Sequence, residues 1–132
     1  MINLLRPSSR VPTVGSVGYD CYADITEPVA IEGLMPVKVP LGFSMALWPG
    51  YWAEIRPRSG LTSKGVHCCL GTIDSDYTGE LAALMWARWN YVVQPGDRVC
   101  QLVFHHDINM DWKLGVVAAG DRATKGFGSS GK

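Results

Sequence analysis

Short apolar runs separated by turn residues recur along this chain. They are "VGYDCYADI", "VAIEG", "VKVPLGFSMALW", "YWAEIRP", "VHCCLGTI", "RVCQLVFHH" and "WKLGVVAA". Most are rich in Val, Ile, Tyr, Trp or Phe, and turn-forming residues bound them. Many short strands with regular punctuation predict a β-sandwich or barrel. Pro49-Gly50 and Pro95-Gly96 are two explicit turns.

One run has two readings. "ELAALMWARWN" contains good helix formers and has helical spacing. It also alternates. Ala82, Leu84, Trp86 and Arg88 fall on one face, and Leu81, Ala83, Met85, Ala87 and Trp89 on the other. The surrounding β pattern favours a strand, and two apolar faces predict burial on both sides, one of them at a subunit contact. A single short helix is predicted after "PRSG", with Ser59 as its cap and "LTSK" as about one turn.

The 132 residues suit one domain with a modest core, and no repeat or linker divides them. Twelve basic residues balance twelve acidic ones, so the formal net charge is zero. That removes the usual electrostatic argument for nonspecific binding to nucleic acid or membrane. No apolar run reaches the ~18 residues of a membrane span. "MINLLRPSSR" has too short an apolar stretch for a signal peptide, so an intracellular protein is expected. Cys21, Cys68, Cys69 and Cys100 form no CxxC pair, and the adjacent two would face opposite ways on a strand. They read as reduced thiols acting as small hydrophobes. The five tryptophans, Trp48, Trp52, Trp86, Trp89 and Trp112, read as filling the core or a subunit contact.

Five segments carry candidate chemistry. In "RPRSGLTSKG", Arg58 offers a fork of donors, Ser59 a hydroxyl and Gly60 an unobstructed backbone. At a helix start these suit a phosphate, and they equally suit a capped turn with a surface Arg. In "GTIDSDYTGE", Asp74 and Asp76 stand at i and i+2 beside Tyr77. Turn chemistry alone accounts for them, while the functional alternative is a general base or a metal-side ligand. Gln101 in "PGDRVCQLVF" is polar between apolar neighbours, and "VGYDCYAD" sets Asp20 among aromatic and small residues. The final "GFGSSGK" nearly spells a P-loop, but no Ser/Thr and no helix follow its Lys132, so a P-loop is rejected. Its glycines, with Ser129, Ser130 and Arg122, still offer donors for phosphate.

In this order these segments resemble the five motifs of the trimeric dUTPase family. The motifs correspond to "VGYDCYAD" (17–24), "PRSGLTSKG" (57–65), "GTIDSDYTGE" (71–80), "PGDRVCQLVF" (95–104) and "RATKGFGSSG" (122–131). The resemblance implies an all-β, jelly-roll-like fold of the β-clip type with one short helix. It divides the chain into a β domain over 1–121 and a mobile C-terminal arm over 122–132. It implies Mg²⁺-dependent hydrolysis of dUTP to dUMP and pyrophosphate, which limits uracil in DNA and supplies dUMP for dTTP synthesis. It also implies a homotrimer. Each active site would draw motif 3 from one subunit, motifs 1, 2 and 4 from a second, and motif 5 from a third.

The resemblance also implies roles. Asp74 would deprotonate the water that attacks the α-phosphorus. Tyr77 would pack under the deoxyribose and leave no room for a 2′-hydroxyl. Arg58, Ser59, Gly60 and Gln101 would hold the phosphates. Asp20 would lie near the water shell of Mg²⁺, which binds mainly through the triphosphate. A motif 3 hairpin including Thr72, Ile73 and Ala82 would read uracil through backbone groups. Phe127 would stack on the base while Arg122, Gly128, Ser129 and Ser130 grip the phosphates. Histidines 67, 105 and 106 need no metal role. Three departures from the common pattern stand out. Cys68 occupies a position where many members carry an Asn that contacts uracil, and Ala123 and Lys125 replace frequent glycines. Thiols near the base pocket would add sensitivity to oxidation or alkylation. A dCTP deaminase relative and a dUTPase-like regulatory protein are the rival readings.

Overall fold

Alternation in the sequence decides which segments become strands and which face of each is buried. A computed structural model describes residues 1–121 and Thr124. In chain order it contains β1 (Ile2–Leu4), β2 (Thr13–Val14), β3 (Tyr19–Tyr22), β4 (Val29–Ile31), β5 (Val37–Pro40), β6 (Phe43–Met45) and β7 (Tyr51–Arg56). Then come α1 (Ser59–Thr62), β8 (Val66–Cys68), β9 (Gly71–Ile73), β10 (Ala82–Ala87), β11 (Tyr91–Val93) and β12 (Arg98–His106). All the pairings are antiparallel. A five-stranded sheet has the order β2-β3-β12-β7-β9, and a three-stranded sheet the order β5-β10-β8. The pairs β1-β6 and β11-β4 complete a jelly-roll-like, all-β architecture with one short helix.

The core gathers the inward residues of both main sheets. Cys21, Ala53, Ile55 and Leu102 come from the larger one, and Val39, Ala83, Met85 and Cys68 from the smaller. Phe43, Leu41, Ile31 and Val93 close it. β10 settles as a strand, with Ala83, Met85 and Ala87 buried and Leu84 exposed on the opposite face. Both predicted turns form, and Gly50 and Gly96 take φ of 86° and 79°, which only glycine adopts cheaply. The three buried thiols, Cys21, Cys68 and Cys100, adjoin one another, and contact with Cys21 and Cys68 together with burial pushes the Cys100 thiol well up. The bond with Cys100 holds the Cys68 thiol below its ordinary value, while burial shields it, and among the cysteines only Cys69 is half-buried and not buried.

Several expectations change. "WKLGVVAA" forms no strand; it lies in an exposed stretch with no ladder partner among the described residues. Conversely β1, β2 and β11 form from segments whose pattern was too short to read. No ladder joins β9 to β10: β9 pairs with β7, and β10 with β5 and β8. The expected motif 3 hairpin is therefore a connection between two sheets. Ser59 is the first helical residue and not the cap; Arg58 takes that place, in extended conformation and without a side-chain cap bond. None of the tryptophans enters the core: Trp48, Trp89 and Trp112 are exposed, and Trp52 and Trp86 are half-buried, each stacked on a histidine. The core is filled by Val, Leu, Ile, Met, Cys and Ala with the single aromatic Phe43. No helix of the described residues is long and apolar enough to cross a membrane.

One polar cluster is enclosed beside this core. The Asp24 side chain is 4% exposed and accepts hydrogen bonds from Ser8 Oγ (2.6 Å), Ser9 Oγ (2.8 Å) and Arg6 Nε (2.6 Å). Gly42, at φ 76°, lies so close that a Cβ there would overlap the Asp24 carboxylate. Burial pushes the Asp24 carboxyl up, but the bonds from Ser8, Ser9 and Arg6 outweigh it and hold the group below its ordinary value. A depressed carboxylate contributes stability above its unfolded value and loses it as pH falls through its folded one. We expect Asp24→Asn to lower the urea midpoint at pH 7. The gap to wild type should close as the pH drops below about 4. Urea titrations at both pH values check this.

Candidate active site

Arg58 enters the site from the end of β7, where Pro57 turns the chain into α1. The extended backbone at Arg58 lets its carbonyl accept from Leu61 N (3.1 Å) and Thr62 N (2.9 Å), which closes the single turn. Its side chain reaches back over the sheet, where Nε donates to Asp20 Oδ1 at 2.9 Å and Nη1 to the Arg98 carbonyl at 3.3 Å. Arg98 Nη1 approaches the other oxygen, Asp20 Oδ2, at 3.4 Å. One carboxylate thus serves two guanidiniums and leaves a local positive excess in a neutral chain.

Gln101 joins this corner through register. It lies opposite Asp20 on β3 and opposite Arg56 on β7. Its Nε2 donates to the Pro57 carbonyl at 3.0 Å, which ties it to the Arg58 turn. Gly18 is buried beneath it, and a Cβ at Gly18 would collide with the Gln101 amide. Ser59 and Gly60 are exposed next to Arg58, with no atom near the position of a Cβ on Gly60. Arg56, Arg58 and Arg98 with Gln101 are a donor set suited to a chain of phosphates. Sequence reasoning missed Arg98 and Arg56. A bulge between Arg98 and Cys100 is the reason for the first, since it returns Arg98 to the face of Gln101 despite an odd spacing.

Asp74 stands elsewhere. It follows the Ile73–Ala53 pair at the sheet edge and lines a cavity of about 240 Å³ with Tyr51, Trp52, Thr72, Ser75 and Asp107. Tyr77 is nearly half exposed on the loop beyond, its N–H donating to the Asp74 carbonyl (3.1 Å) and its hydroxyl to the Glu80 carbonyl (3.0 Å). Gly79 packs flat against that ring, where a Cβ would sit 2.8 Å from Cζ. Ile73 packs on the core, and Ala82 lies on β10 opposite Pro40. Cys68 is buried beside Cys100 and does not line the Asp74 cavity.

The two groups of residues are far apart in one chain. Asp74 lies about four strand residues from the Gln101–Arg56 pair, about 13 Å along the strands. The step from β9 across β7 to β12 adds about 10 Å. The structure therefore assembles Asp20, Arg58 and Gln101, and separately Thr72 and Asp74, but does not bring the two together. Arg122, Phe127, Gly128, Ser129 and Ser130 lie outside the described residues. Among the described residues no cluster of His, Cys, Asp and Glu suits a metal ion, and both oxygens of Asp20 already face guanidiniums.

The dUTPase family model matches residues 7–131. A deoxyuridine 5′-triphosphate nucleotidohydrolase of Finegoldia magna is 34% identical over 132 residues, covering 96% of this chain and 92% of that protein. One from Orientia tsutsugamushi (strain Ikeda) is 40% identical over 125 residues, covering 90% and 84%. In shape the chain is similar to Staphylococcus bacteriophage 80alpha dUTPase with dUPNHPP, at TM-score 0.86 and 23% identity over 100% of this chain and 98% of that one. It is also similar to a mutant dUTPase from phage phi11 of S. aureus described with a structural Mg(II) ion, at TM-score 0.79 and 20% identity over 87% and 95%. These two likenesses show the fold.

The close approach of Gly18 to Gln101 has a measurable cost. Gly18→Ala should destabilise the protein by about 1–3 kcal/mol in urea unfolding, as overpacked sites do. The double variant Gly18→Ala/Gln101→Ala should recover part of that loss, because the colliding amide is gone.

Proposed function

The chain belongs to the dUTPase family, and on that premise we propose that it hydrolyses dUTP to dUMP and pyrophosphate with Mg²⁺. It is a dUTP diphosphatase by family. The observation that carries the residue assignment is the gathering of Arg58, Arg98 and Gln101 around Asp20, a ready seat for a triphosphate. Asp20 acts there as a positioning group that aims Arg58. Ser59 and Gly60 add a hydroxyl and an open backbone at the same turn.

In this reading Asp74 takes the proton of a water whose oxygen attacks the α-phosphorus. The bond to the bridging oxygen breaks and pyrophosphate leaves. A carboxylate within hydrogen-bond reach of the water suffices for that step. Thr72 and Ile73 approach the base through their backbone, with Ala82 on the return segment. Tyr77 lies under the deoxyribose, and its ring excludes a 2′-hydroxyl by contact; an apolar pocket without that contact would reject an added hydroxyl poorly. Asp20 would lie near the water shell of a Mg²⁺ bound mainly through the triphosphate, which would supply charge neutralisation there. The residues of 122–132 are proposed as an arm over substrate, with Phe127 on uracil and Arg122, Gly128, Ser129 and Ser130 at the phosphates. The products suit an intracellular enzyme that keeps uracil out of DNA and supplies dUMP for dTTP synthesis.

The separation of Asp74 from Arg58 supports a site completed between copies, and we assign a homotrimer. The exposed Leu84 beside half-buried Trp86, and the exposed Ile108, Met110, Trp112 and Leu114, are apolar surface that subunit contacts would cover.

Pyrophosphate release from dUTP, with UTP and dTTP as controls, tests the activity; ammonia from dCTP would overturn it. Asp74→Asn should lower turnover at least about a hundredfold while dUTP still binds in calorimetry. Near-normal turnover would refute Asp74 as the base. Shared sites make a second prediction. Inactive Asp74→Asn and Arg58→Ala subunits, unfolded and refolded together, should regain up to about a quarter of wild-type turnover. No recovery in a mixed assembly seen by native mass spectrometry would mean that both residues act from one chain.

A further inference from the structure

We propose that Gly79 is a positioning residue for sugar selection: having no side chain, it lets the Tyr77 ring lie down across its own loop, where it can pack under a deoxyribose. The inference rests on the reading of Tyr77 under the deoxyribose given above.

Tyr77 is tied at its backbone and at the tip of its ring. Its N–H donates to the Asp74 carbonyl at 3.1 Å, which closes a turn on the proposed base. Its hydroxyl donates to the Glu80 carbonyl at 3.0 Å. A ring that reaches from residue 77 to the carbonyl of residue 80 crosses the chain between them, and it does so at Gly79. A Cβ on Gly79 would stand 2.6 Å from the Tyr77 hydroxyl oxygen, 2.8 Å from Cζ and 3.2 Å from Cε2. Carbon atoms pack at about 3.5–4.0 Å, so a side chain at residue 79 and the ring in this place exclude each other. Unlike Gly42, Gly50 and Gly96, Gly79 has no positive φ. Its backbone therefore does not require glycine; the ring does.

Of the parts that could give way, the ring is the softest. The Glu80 carbonyl belongs to the same planar peptide as Leu81 N–H, which donates to the Phe43 carbonyl at 2.9 Å. Leu81 is buried, and its own carbonyl accepts from Leu41 N at 3.0 Å. The Glu80 carboxylate is held as well, by Gly42 N (3.2 Å) and by Arg6 Nη2. This end of the loop is thus fastened to the core. The other end continues β9, whose Thr72 and Ile73 pair with Glu54 and Ala53. The tyrosine itself is 46% exposed and free to turn about its side-chain torsions. A methyl group at residue 79 therefore lifts the ring off a carbonyl that stays where it is, and displaces it from under the sugar.

The test is the ratio of kcat/KM for dUTP to that for UTP, measured on the full chain. In Gly79→Ala that ratio should fall at least about tenfold, because a site without the ring contact rejects an added hydroxyl poorly. Gly79→Ser puts the same Cβ under the ring and carries the test if Gly79→Ala does not fold, with the same fall expected. Tyr77→Ala/Gly79→Ala has no ring to displace, so its ratio should match that of Tyr77→Ala within about twofold. A merely structural role would lower Tm and both kcat/KM values together and leave their ratio alone. A ratio within about twofold of wild type in a folded Gly79→Ala or Gly79→Ser protein would overturn the proposal, as would a further loss of the ratio when Gly79→Ala is added to Tyr77→Ala. Tyr77→Ala alone separates this outcome from failure of the underlying reading. If Tyr77→Ala keeps the wild-type ratio, the sugar-platform reading fails and this proposal with it. If Tyr77→Ala loses the ratio while Gly79→Ala keeps it, only the role of Gly79 fails.

Discussion

The double pairing of β12 is the constraint on which the rest of this structure depends. One edge of the strand is bonded to β3 and the other to β7, so Gln101 and Leu102 are each fixed from both sides. Gln101 lies opposite Asp20 on one flank and Arg56 on the other. The inward neighbours Cys100 and Leu102 are fully buried and lock the strand to the core. A slip of one residue would turn Gln101 inward and a core residue outward. Packing of the core and placement of the phosphate-facing groups are thus one event.

Charge is distributed by the same geometry. A chain of zero net charge concentrates three arginines at one end of β7 and β12 because register, turn and bulge converge there. Asp20 keeps the guanidiniums from repelling one another and aims them. The pair Asp20–Arg58 is part-exposed, so its worth lies in orientation more than in stability. The enclosed Asp24 differs. It ties the N-terminal segment to the core and, through Arg6, to the loop that carries Tyr77.

Much of the fold was legible from short apolar runs. β3, β7, β10 and β12 coincide with runs whose alternation is clear, and Pro49-Gly50 and Pro95-Gly96 turn where glycine permits positive φ. The failures have separate causes. "WKLGVVAA" has the composition of a strand but joins no ladder among the described residues. The tryptophans remain on the surface or half-buried on histidines, and Phe43 is the aromatic ring the core encloses. The segments 71–73 and 82–87 look like the arms of a hairpin, yet each finds its partners in a different sheet.

The order and chemistry of the motifs belong to the sequence by itself, because residue type and local spacing need no knowledge of distant neighbours. Asp20, Arg58, Asp74, Tyr77 and Gln101 could be named on that basis. Tertiary structure alone decided which of them meet. The bulge that brings Arg98 onto the face of Gln101 is a local change of parity invisible in the letters. The link from Arg6 to Glu80 spans 74 positions and exists only because both segments close on Gly42 and Asp24. The distance between Asp74 and Arg58 follows from strand order, and strand order is set by which edges pair across the whole chain.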